Sequence, residues 1–301
     1  MKQVNKLPLT SQCHHWTRLN EVPWDLQKYW QQRYTIFPYY DEGIHMTENA
    51  WFGVTPEPVA IQIAKDLDAI VDPSKKTVID VFAGVGANAI SLALATTEDG
   101  TTPRWDTVIA IELDAPTLAC AQHNASIYGV ADDIIWILGD NFKYLDALLN
   151  SPEQLEPDLR VDVASTVLFA SPPWGGPGYR TDEIFDLNTM EPYNLAQLHG
   201  AYRNMDHALY LPRTSDLRQI AKLVPDGDKI EVVQYCVEGA SKAMVAYMPA
   251  AEDEDEDSED FEDSQDSQDS QDSQDSQDSQ DSQDSQDSQG SQDSQDSHME
   301  T

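Results

Sequence analysis

Short apolar runs alternate with helix-like segments over much of the chain, and no other sequence feature constrains the fold as strongly. The runs predict four strands, over 77–82, 106–112, 134–138 and 163–170. The segments around them predict helices, over 59–70, 88–95, 116–128, 194–209 and 215–223. Two further runs, 229–237 and 243–248, predict closing strands, with an antiparallel arrangement as one option. Because strand–helix alternation with short connections is typical of a doubly wound sheet, we expect an α/β, Rossmann-like fold with helices on both faces.

The last fifty residues have a composition that cannot form a folded core. Residues 252–301 contain 21 of the 54 acidic residues, no Lys or Arg, one aromatic residue and a run of Gln-Asp-Ser triplets. We predict that 251–301 is a disordered acidic tail. The rest of the chain is predicted to form an irregular N-terminus, a small helical extension and the α/β domain, over 1–24, 25–72 and 73–250.

The composition argues against several classes of function. The chain has a net charge of −36, and residues 1–251 still carry −15, which argues against a protein that binds nucleic acid through the phosphate backbone alone. A nucleic-acid partner then requires a local contact directed at a base. Three distant cysteines and seven scattered histidines predict no disulfide framework and no metal site. The sequence has no apolar run of transmembrane length and no apolar signal-peptide segment.

A Gly-rich turn follows the first predicted strand and contains the first candidate site. Asp80 lies near the end of that strand, and Gly84 and Gly86 follow it. The glycines permit a tight turn and close approach of a ligand to the backbone. The spacing is G-x-G-A, so the dinucleotide fingerprint G-x-G-x-x-G is incomplete. An Asp upstream of such glycines is instead the arrangement expected for S-adenosylmethionine, whose amino acid end carries a cation. The alternative is a turn whose glycines serve packing only.

Two more carboxylates follow the next predicted strands at the same edge of the sheet. Glu112 ends the second strand, where a carboxylate can accept both ribose hydroxyls of a bound nucleoside, although a solvated strand end is the alternative. Asp114 competes for that role, but a cap of the following helix is the better prediction for it. Asp140 follows the third strand, where it either accepts from an adenine amino group or forms a simple turn after Gly139.

The most specific motif follows the fourth predicted strand, and its sequence is Ser171-Pro-Pro-Trp-Gly-Gly-Pro-Gly-Tyr179. Two consecutive prolines fix the backbone, which holds the Ser171 side chain and the Pro172 carbonyl in place as acceptors. Trp174 next to them offers a π face. A planar amine substrate needs both features, since acceptors orient its N–H groups and a ring holds the base flat. A rigid turn without a ligand is the alternative.

Taken together, these motifs resemble the trimethylguanosine synthase family of RNA cap guanine-N2 methyltransferases. The resemblance rests on Asp80-Val-Phe-Ala-Gly-Val-Gly-Ala-Asn88, on 171–179, and on matching stretches at 28–37, 41–43, 51–57 and 210–213. It implies a class I methyltransferase fold with a small, mainly helical N-terminal extension. It also implies that two methyl groups pass successively from S-adenosyl-L-methionine to N2 of a 7-methylguanosine cap on small nuclear and nucleolar RNAs.

The resemblance also implies roles for individual residues. The implied cofactor site consists of Thr55, Asp80, Phe82, Gly84, Gly86, Asn88, Glu112, Asp140 and Ser171. The implied cap site consists of Lys28, Phe37, Trp174, Tyr179 and Arg213, with Trp174 stacked on the cationic 7-methylguanine. The expected catalytic residues, which act by positioning the amine, are Ser171, Pro172 and Trp174. Lys28 and Arg213 would face the cap phosphates, and an ordinary surface cation is the alternative for each.

Partners and location follow from the family alone. We expect a monomer that acts on a 7-methylguanosine-capped small RNA, in the nucleus or nucleolus and without membrane contact. The acidic tail is either a solvated segment or a docking segment for basic RNA-processing proteins.

Two departures from the family pattern leave other functions open. Ala87 stands where the family has Gly, and its methyl group would crowd the cofactor if that residue needed a positive φ. Gly53 stands where Ser is expected, which removes one polar contact to the base. A non-catalytic cap-binding module with a degenerate cofactor loop is therefore one alternative. A methyltransferase that acts on an exocyclic amine of another nucleic acid is the second.

Overall fold

A mixed β-sheet forms the centre of the molecule. The computed structural model describes residues 2–176, 182–224 and 229–251, and Met1–Asp253 form one compact unit. The described residues contain seven strands: β1 (Thr77–Asp80), β2 (Thr107–Glu112), β3 (Ile134–Leu138), β4 (Thr166–Ala170), β5 (Asp206–Pro212), β6 (Glu231–Val237) and β7 (Ala240–Met248). Their order is β3-β2-β1-β4-β5-β7-β6. Strands β1 to β5 run parallel, and β7 is antiparallel to both β5 and β6. The predicted α/β sheet and the antiparallel closing strands are confirmed.

Helices cover both faces of the sheet and build the N-terminal extension. Within the described ranges they are α1 (Gln27–Trp30), α2 (Arg33–Ile36), α3 (Ala50–Gly53), α4 (Glu57–Ile70), α5 (Ala87–Ala93), α6 (Ala115–Ile127), α7 (Asn141–Asn150), α8 (Leu195–Tyr202) and α9 (Leu217–Ala221). Asp114 accepts the Thr117 N–H at 2.9 Å and so caps α6, which confirms the prediction for this residue. Asn194 and Gln197 form a capping box at the start of α8.

The sheet separates two hydrophobic cores. Successive side chains of a strand point to opposite faces, so Val78 enters one core and Ile79 the other. The first core also contains Trp30 and Trp51 of the N-terminal extension, together with side chains of α4, α5 and α6. Burial of a large apolar side chain contributes about 1.5–3 kcal/mol. The extension therefore shares its core with the sheet, which fixes its position beside the carboxyl ends of the strands.

The helix predicted over 194–209 is partly wrong. Helix α8 ends at Tyr202, and the chain then turns into β5, which pairs with β4 on one side and β7 on the other. Residues 207–212 are all buried. A strand buried on both faces shows no alternation, so its apolar run cannot be distinguished from a buried helix by periodicity.

Three smaller differences also have local causes. The strand predicted over 163–170 begins only at Thr166, because Val163–Ser165 forms a 3-10 turn capped by Asp162. Helices α3 and α7 have no counterpart among the predicted helices. Helix α9 covers Leu217–Ala221, which is shorter than the predicted segment.

An N-terminal arm, residues 2–16, runs across α6 and the edge strand β3. The Val4 N–H donates to the Trp136 carbonyl at 2.9 Å, and His14 and Met46 exchange two backbone hydrogen bonds. The arm contains no helix, and its backbone is anchored to the sheet. No helix of the described residues is long and apolar enough to cross a membrane. Except for Ala251, the predicted acidic tail lies outside the described residues.

Candidate functional site

One large cavity opens where β1, β2, β3 and β4 end. Its volume is about 980 Å³. Ligands of doubly wound sheets bind at this edge, because the carboxyl ends of the parallel strands and the loops after them meet there. The structure brings nine of the predicted site residues into the lining of this cavity: Thr55, Phe82, Gly84, Asn88, Glu112, Asp140, Ser171, Pro172 and Trp174.

The turn between β1 and α5 depends on its two glycines. Gly84 and Gly86 have φ angles of +54° and +92°, and Gly86 caps α5 in the left-handed conformation. A Cβ atom added at Gly86 would lie 3.2 Å from the Cα of Ala121 in α6. Gly86 therefore permits both the backbone conformation and the close approach of α6. It lies behind the cavity rather than in its lining.

We expect Gly86→Ala to lower the free energy of unfolding by about 2 kcal/mol, since it adds a side chain at positive φ and against the backbone of α6. Urea unfolding measures this change. The control is Gly53→Ala, because Gly53 has no positive φ and no atom lies within 4 Å of its added Cβ. Equal unfolding midpoints for the two variants would show that α6 moves aside without a penalty.

Ala87 adopts an ordinary helical conformation. It is the first residue of α5, and among the described residues Glu238 is the only one other than glycine with a positive φ. Ala87 is buried and lines the cavity with its neighbour Asn88. The backbone strain that would favour a degenerate cofactor loop is therefore absent at Ala87.

Asp80 is fully buried at the end of β1 and does not itself line the cavity. Its Oδ1 accepts the Phe82 N–H at 3.3 Å, whereas Oδ2 has no hydrogen-bond partner among the described residues. Burial, and to a lesser extent the nearby Glu112 carboxylate, raise the pKa of Asp80 to about 7, against the lowering effect of the Phe82 and Ala89 N–H groups. An unpaired buried carboxylate is a strong acceptor for a cationic group.

Glu112 is held by the backbone on both sides of its carboxylate. Its Oε2 accepts the Gly84 N–H and its Oε1 accepts the Asp114 N–H, each at 2.9 Å. Burial nevertheless raises the pKa of Glu112 above its ordinary value. The two bonds fix the orientation of the carboxylate, and each oxygen retains a further lone pair for a ligand hydroxyl.

A hydrogen bond joins the N-terminal extension to the core beside the cavity. Asn88 Nδ2 donates to Thr55 Oγ1 at 3.0 Å, and both side chains are buried. Thr55 accepts in this bond, so its hydroxyl proton is available to a ligand. Asn88 Oδ1 is buried without a partner in the described part of the chain.

Asp140 caps a helix and also lines the cavity. Its Oδ1 accepts the Phe142 N–H at 2.9 Å and so caps α7. The same side chain lines the cavity. A capping role therefore does not remove it from the ligand site.

The Trp174 ring is fixed by strand β5. Its Nε1 donates to the Tyr210 carbonyl at 3.2 Å, and its ring stacks on the Tyr210 ring, with centroids 5.7 Å apart and planes at 16°. Ser171 and Pro172 precede it at the end of β4, and both line the cavity. No donor from the described residues is bonded to Ser171 Oγ or to the Pro172 carbonyl, so both remain available as acceptors.

Three predicted cap residues lie outside the cavity lining. Phe37 is buried and packs near Tyr128 with ring centroids 6.2 Å apart, since its apolar ring serves the core of the extension. Lys28 is exposed, with its Nζ 4.9 Å from the centre of the Tyr29 ring. Arg213 follows β5 and is half-buried. The fourth, Tyr179, lies outside the described residues.

Several residues that form or support the cavity were not predicted from the sequence. Asn141 and Tyr193 line it, and so do Gln12 and His14 of the N-terminal arm. Asn124 of α6 lies behind the cavity, where its Nδ2 donates to the Val85 carbonyl at 3.1 Å and its side chain bonds both backbone groups of His45. The sequence did contain a signal for Asn141, because it is a polar residue directly after the end-of-strand carboxylate Asp140. The positions of the other residues depend on long-range packing, which the local sequence does not show.

Known proteins with related sequences supply independent information. Residues 75–251 match the model of a family described as RNA cap guanine-N2 methyltransferase. The Schizosaccharomyces pombe protein named trimethylguanosine synthase is 34% identical over 229 residues, which cover 75% of this chain and 87% of that protein. The Saccharomyces cerevisiae protein of the same name is 31% identical over 201 residues, which cover 65% of this chain but only 58% of that protein.

Solved structures with a similar arrangement of elements include the N-terminal domain of human METTL16 in complex with SAH. It has a TM-score of 0.42 and 15% sequence identity, and the match covers 74% of this chain and 82% of that chain.

Proposed function

This chain belongs to the RNA cap guanine-N2 methyltransferase family, and we propose that it converts the 7-methylguanosine cap of small nuclear and nucleolar RNAs to 2,2,7-trimethylguanosine by two successive N2 methylations. The chain is a transferase that acts on a capped RNA. The observation that carries the finer proposal is the arrangement of Ser171, Pro172 and Trp174 at the same cavity as Glu112 and Asp140.

The cavity residues fit S-adenosyl-L-methionine as the methyl donor, which supplies an electrophilic methyl group on a sulfonium. Asp80 lies behind the lining, and the unpaired Oδ2 of its buried carboxylate suits the cationic amino acid end. The fixed carboxylate of Glu112 suits the ribose hydroxyls, and Asp140 suits the adenine amino group. The hydroxyl of Thr55, oriented by Asn88, suits the carboxylate of the same ligand.

The remaining predicted cofactor residues act through shape and contact. Gly84 and Gly86 keep the turn close to the ligand, and Phe82 presents an apolar ring to the cavity. Ser171 lies where the cofactor region and the cap region of the cavity meet in this proposal. Residues 25–72 act as a lid for both ligands, and 73–250 form the catalytic domain.

Trp174 holds the cap base by stacking. Its indole N–H is bonded to β5 and one ring face is covered by Tyr210, so the ring has a defined orientation before a base arrives. Stacking on a nucleobase contributes about 1–3 kcal/mol, and the positive charge of 7-methylguanine adds a cation–π contribution of about 1–2 kcal/mol. Recognition of a single cationic base explains how a strongly acidic protein binds an RNA end.

Ser171 Oγ and the Pro172 carbonyl orient the N2 amine. Its lone pair is delocalised into the guanine ring, so the amine is a weak nucleophile that benefits from alignment and from exclusion of water. Acceptors at these two positions bind the N–H groups and become more favourable as positive charge develops on nitrogen. Positioning is therefore the main catalytic device in this proposal.

The cap phosphates extend from the base toward the rim of the cavity. Lys28 and Arg213 are the proposed phosphate contacts, and Arg213 has no ion pair with another described residue that would compete for its guanidinium. Phe37 supports the extension from its core, and Tyr179 completes the cap site. We further propose a nuclear or nucleolar monomer whose acidic tail docks basic RNA-processing proteins.

The decisive measurement is mass-resolved methyl transfer from S-adenosylmethionine to 7-methylguanosine triphosphate, with the full chain and residues 1–251 side by side. We expect products that gain one methyl group and then two, with similar rates for both proteins. Donor binding without transfer would indicate another exocyclic amine as the substrate. Absence of both donor binding and transfer would contradict the proposal and favour a cap-binding module.

A further inference from the structure

The start of α7 presents two side chains of opposite hydrogen-bonding character to the cavity. Asp140 and Asn141 are consecutive, and both line it. Asp140 Oδ1 is occupied by the Phe142 N–H at 2.9 Å, which leaves Oδ2 as an acceptor. That bond also consumes the Phe142 N–H, so this backbone donor is not available to a ligand.

The orientation of the Asn141 amide is set from behind by Tyr202. Asn141 is only 6% exposed, and its Oδ1 accepts from the Tyr202 hydroxyl at 3.0 Å. Tyr202 is fully buried, and burial raises the pKa of its hydroxyl well above the ordinary value, so the hydroxyl keeps its proton and acts as the donor. The amide oxygen of Asn141 is thereby occupied, and its NH2 group is the end that remains.

The Asn141 Nδ2 atom has no acceptor among the described residues. The atom keeps some accessible surface, and Asn141 lines the cavity, so we infer that its NH2 group faces the open space there. Phe82 and Tyr193 line the same cavity, and their ring centroids are 6.1 Å apart. The Tyr193 ring also packs against the Phe142 ring, with centroids 4.7 Å apart. The cavity therefore has an aromatic cluster in its wall and, at the start of α7, an acceptor beside a donor, which together suit a planar base.

We propose that Asn141, positioned by Tyr202, is a specificity residue for the adenine of the methyl donor. Its Nδ2 donates to the ring nitrogen N1, while Asp140 Oδ2 accepts from the adjacent N6 amino group. This inference rests on the proposed use of S-adenosylmethionine. Hypoxanthine has the opposite pattern on the same edge, with an N–H at N1 and a carbonyl oxygen at position 6. Its N1–H would meet the Asn141 NH2 group, donor against donor, and its carbonyl oxygen would meet Asp140 Oδ2, acceptor against acceptor.

Calorimetric titration of the full chain with S-adenosylhomocysteine and S-inosylhomocysteine tests the proposal. The unmodified protein should bind the adenosyl compound at least about 100-fold more tightly, because the inosyl compound leaves buried polar groups unpaired. Asn141→Leu should weaken adenosyl binding about 10-fold or more with a smaller effect on inosyl binding, so that the ratio of the two affinities falls. Tyr202→Phe should change the ratio in the same direction.

Two variants control for effects on folding. Tyr144→Phe removes another fully buried hydroxyl, which donates to the Leu159 carbonyl at 2.9 Å away from the cavity lining. Asn150→Ala changes the exposed asparagine at the other end of α7. Both should retain the adenosyl-to-inosyl ratio of the unmodified protein, even where the melting temperature falls.

The ratio of the two affinities distinguishes a loss of specificity from a structural defect, since a purely structural defect weakens the binding of both compounds equally. An unchanged ratio in Asn141→Leu, with the adenosyl compound still bound by the unmodified protein, would overturn the role of Asn141 and leave the proposed function intact. No binding of either compound by the unmodified protein would overturn both proposals.

Discussion

Replacement of Trp174 by Ala should reduce kcat/KM for methyl transfer to 7-methylguanosine triphosphate by about 100-fold or more, because it removes base stacking and the cation–π contribution together. Affinity for S-adenosylhomocysteine should change little, because Asp140, Glu112 and Thr55 do not depend on the indole. Parallel kinetics and calorimetry measure the two effects. Since Trp174 also packs against Tyr210, the assays belong at a temperature well below the melting point of the variant.

The same substitution at Trp24 is the matched control. Trp24, at the end of the irregular N-terminus, is 86% exposed, so its removal should leave both kinetics and cofactor binding near those of the unmodified protein. Trp174→Phe should retain part of the activity, since it keeps an aromatic face but loses the hydrogen bond to the Tyr210 carbonyl. Full turnover in Trp174→Ala would contradict the stacking role.

The sequence predicts the central fold well because its signals there are local. Strand β3 and strand β2 lie within a residue of their predicted bounds, and Asp114 caps α6 as expected. Strand β5 escapes prediction because its burial comes from two neighbouring strands, β4 and β7, that are distant in sequence. A single apolar run does not contain that information.

For the candidate site, the motifs predict at which edge of the sheet it lies, but not which contacts orient its side chains. The position of Trp174 next to Ser171 is evident from the sequence, whereas its stacking on Tyr210 requires β4 and β5 to be neighbours. The bond from Asn88 to Thr55 joins residues 33 positions apart, and the anchoring of the N-terminal arm joins still more distant segments. Phe37 is buried, and its aromatic residue type alone does not distinguish a core position from a position at the ligand.

The environment of Asp80 lowers the stability of the ligand-free fold but suits a cationic ligand. The carboxylate is fully buried, one of its oxygens has no partner in the described part of the chain, and Glu112 adds a like charge nearby. Such a group destabilises the ligand-free fold whenever it is ionised. A residue with this environment is explained by a cationic ligand that compensates it, which is the role proposed here for the amino acid end of the methyl donor.

The sign of the pH dependence follows from the direction of the pKa shift. Burial raises the pKa of Asp80 to about 7 in the folded protein, whereas an unfolded chain has a value of about 3.9. Between these values the folded state binds more protons than the unfolded state, so the contribution of Asp80 to stability is present at low pH and is lost as the pH rises through about 4 to 7. The full loss is on the order of 4 kcal/mol, since one pKa unit corresponds to about 1.4 kcal/mol.

Asp80→Asn should therefore unfold at a higher urea concentration than the unmodified protein at pH 8 and at nearly the same concentration at pH 4, because the amide does not ionise. Its affinity for S-adenosylmethionine should fall by about 10-fold or more, since the charge that compensates the cation is gone. Asp182→Asn, at an exposed position, controls for the change in net charge. Lower stability of Asp80→Asn at pH 8 would contradict the claim that the ionised carboxylate destabilises the ligand-free fold. Higher stability with unaltered affinity for S-adenosylmethionine would show that Asp80 does not contribute to the cofactor site.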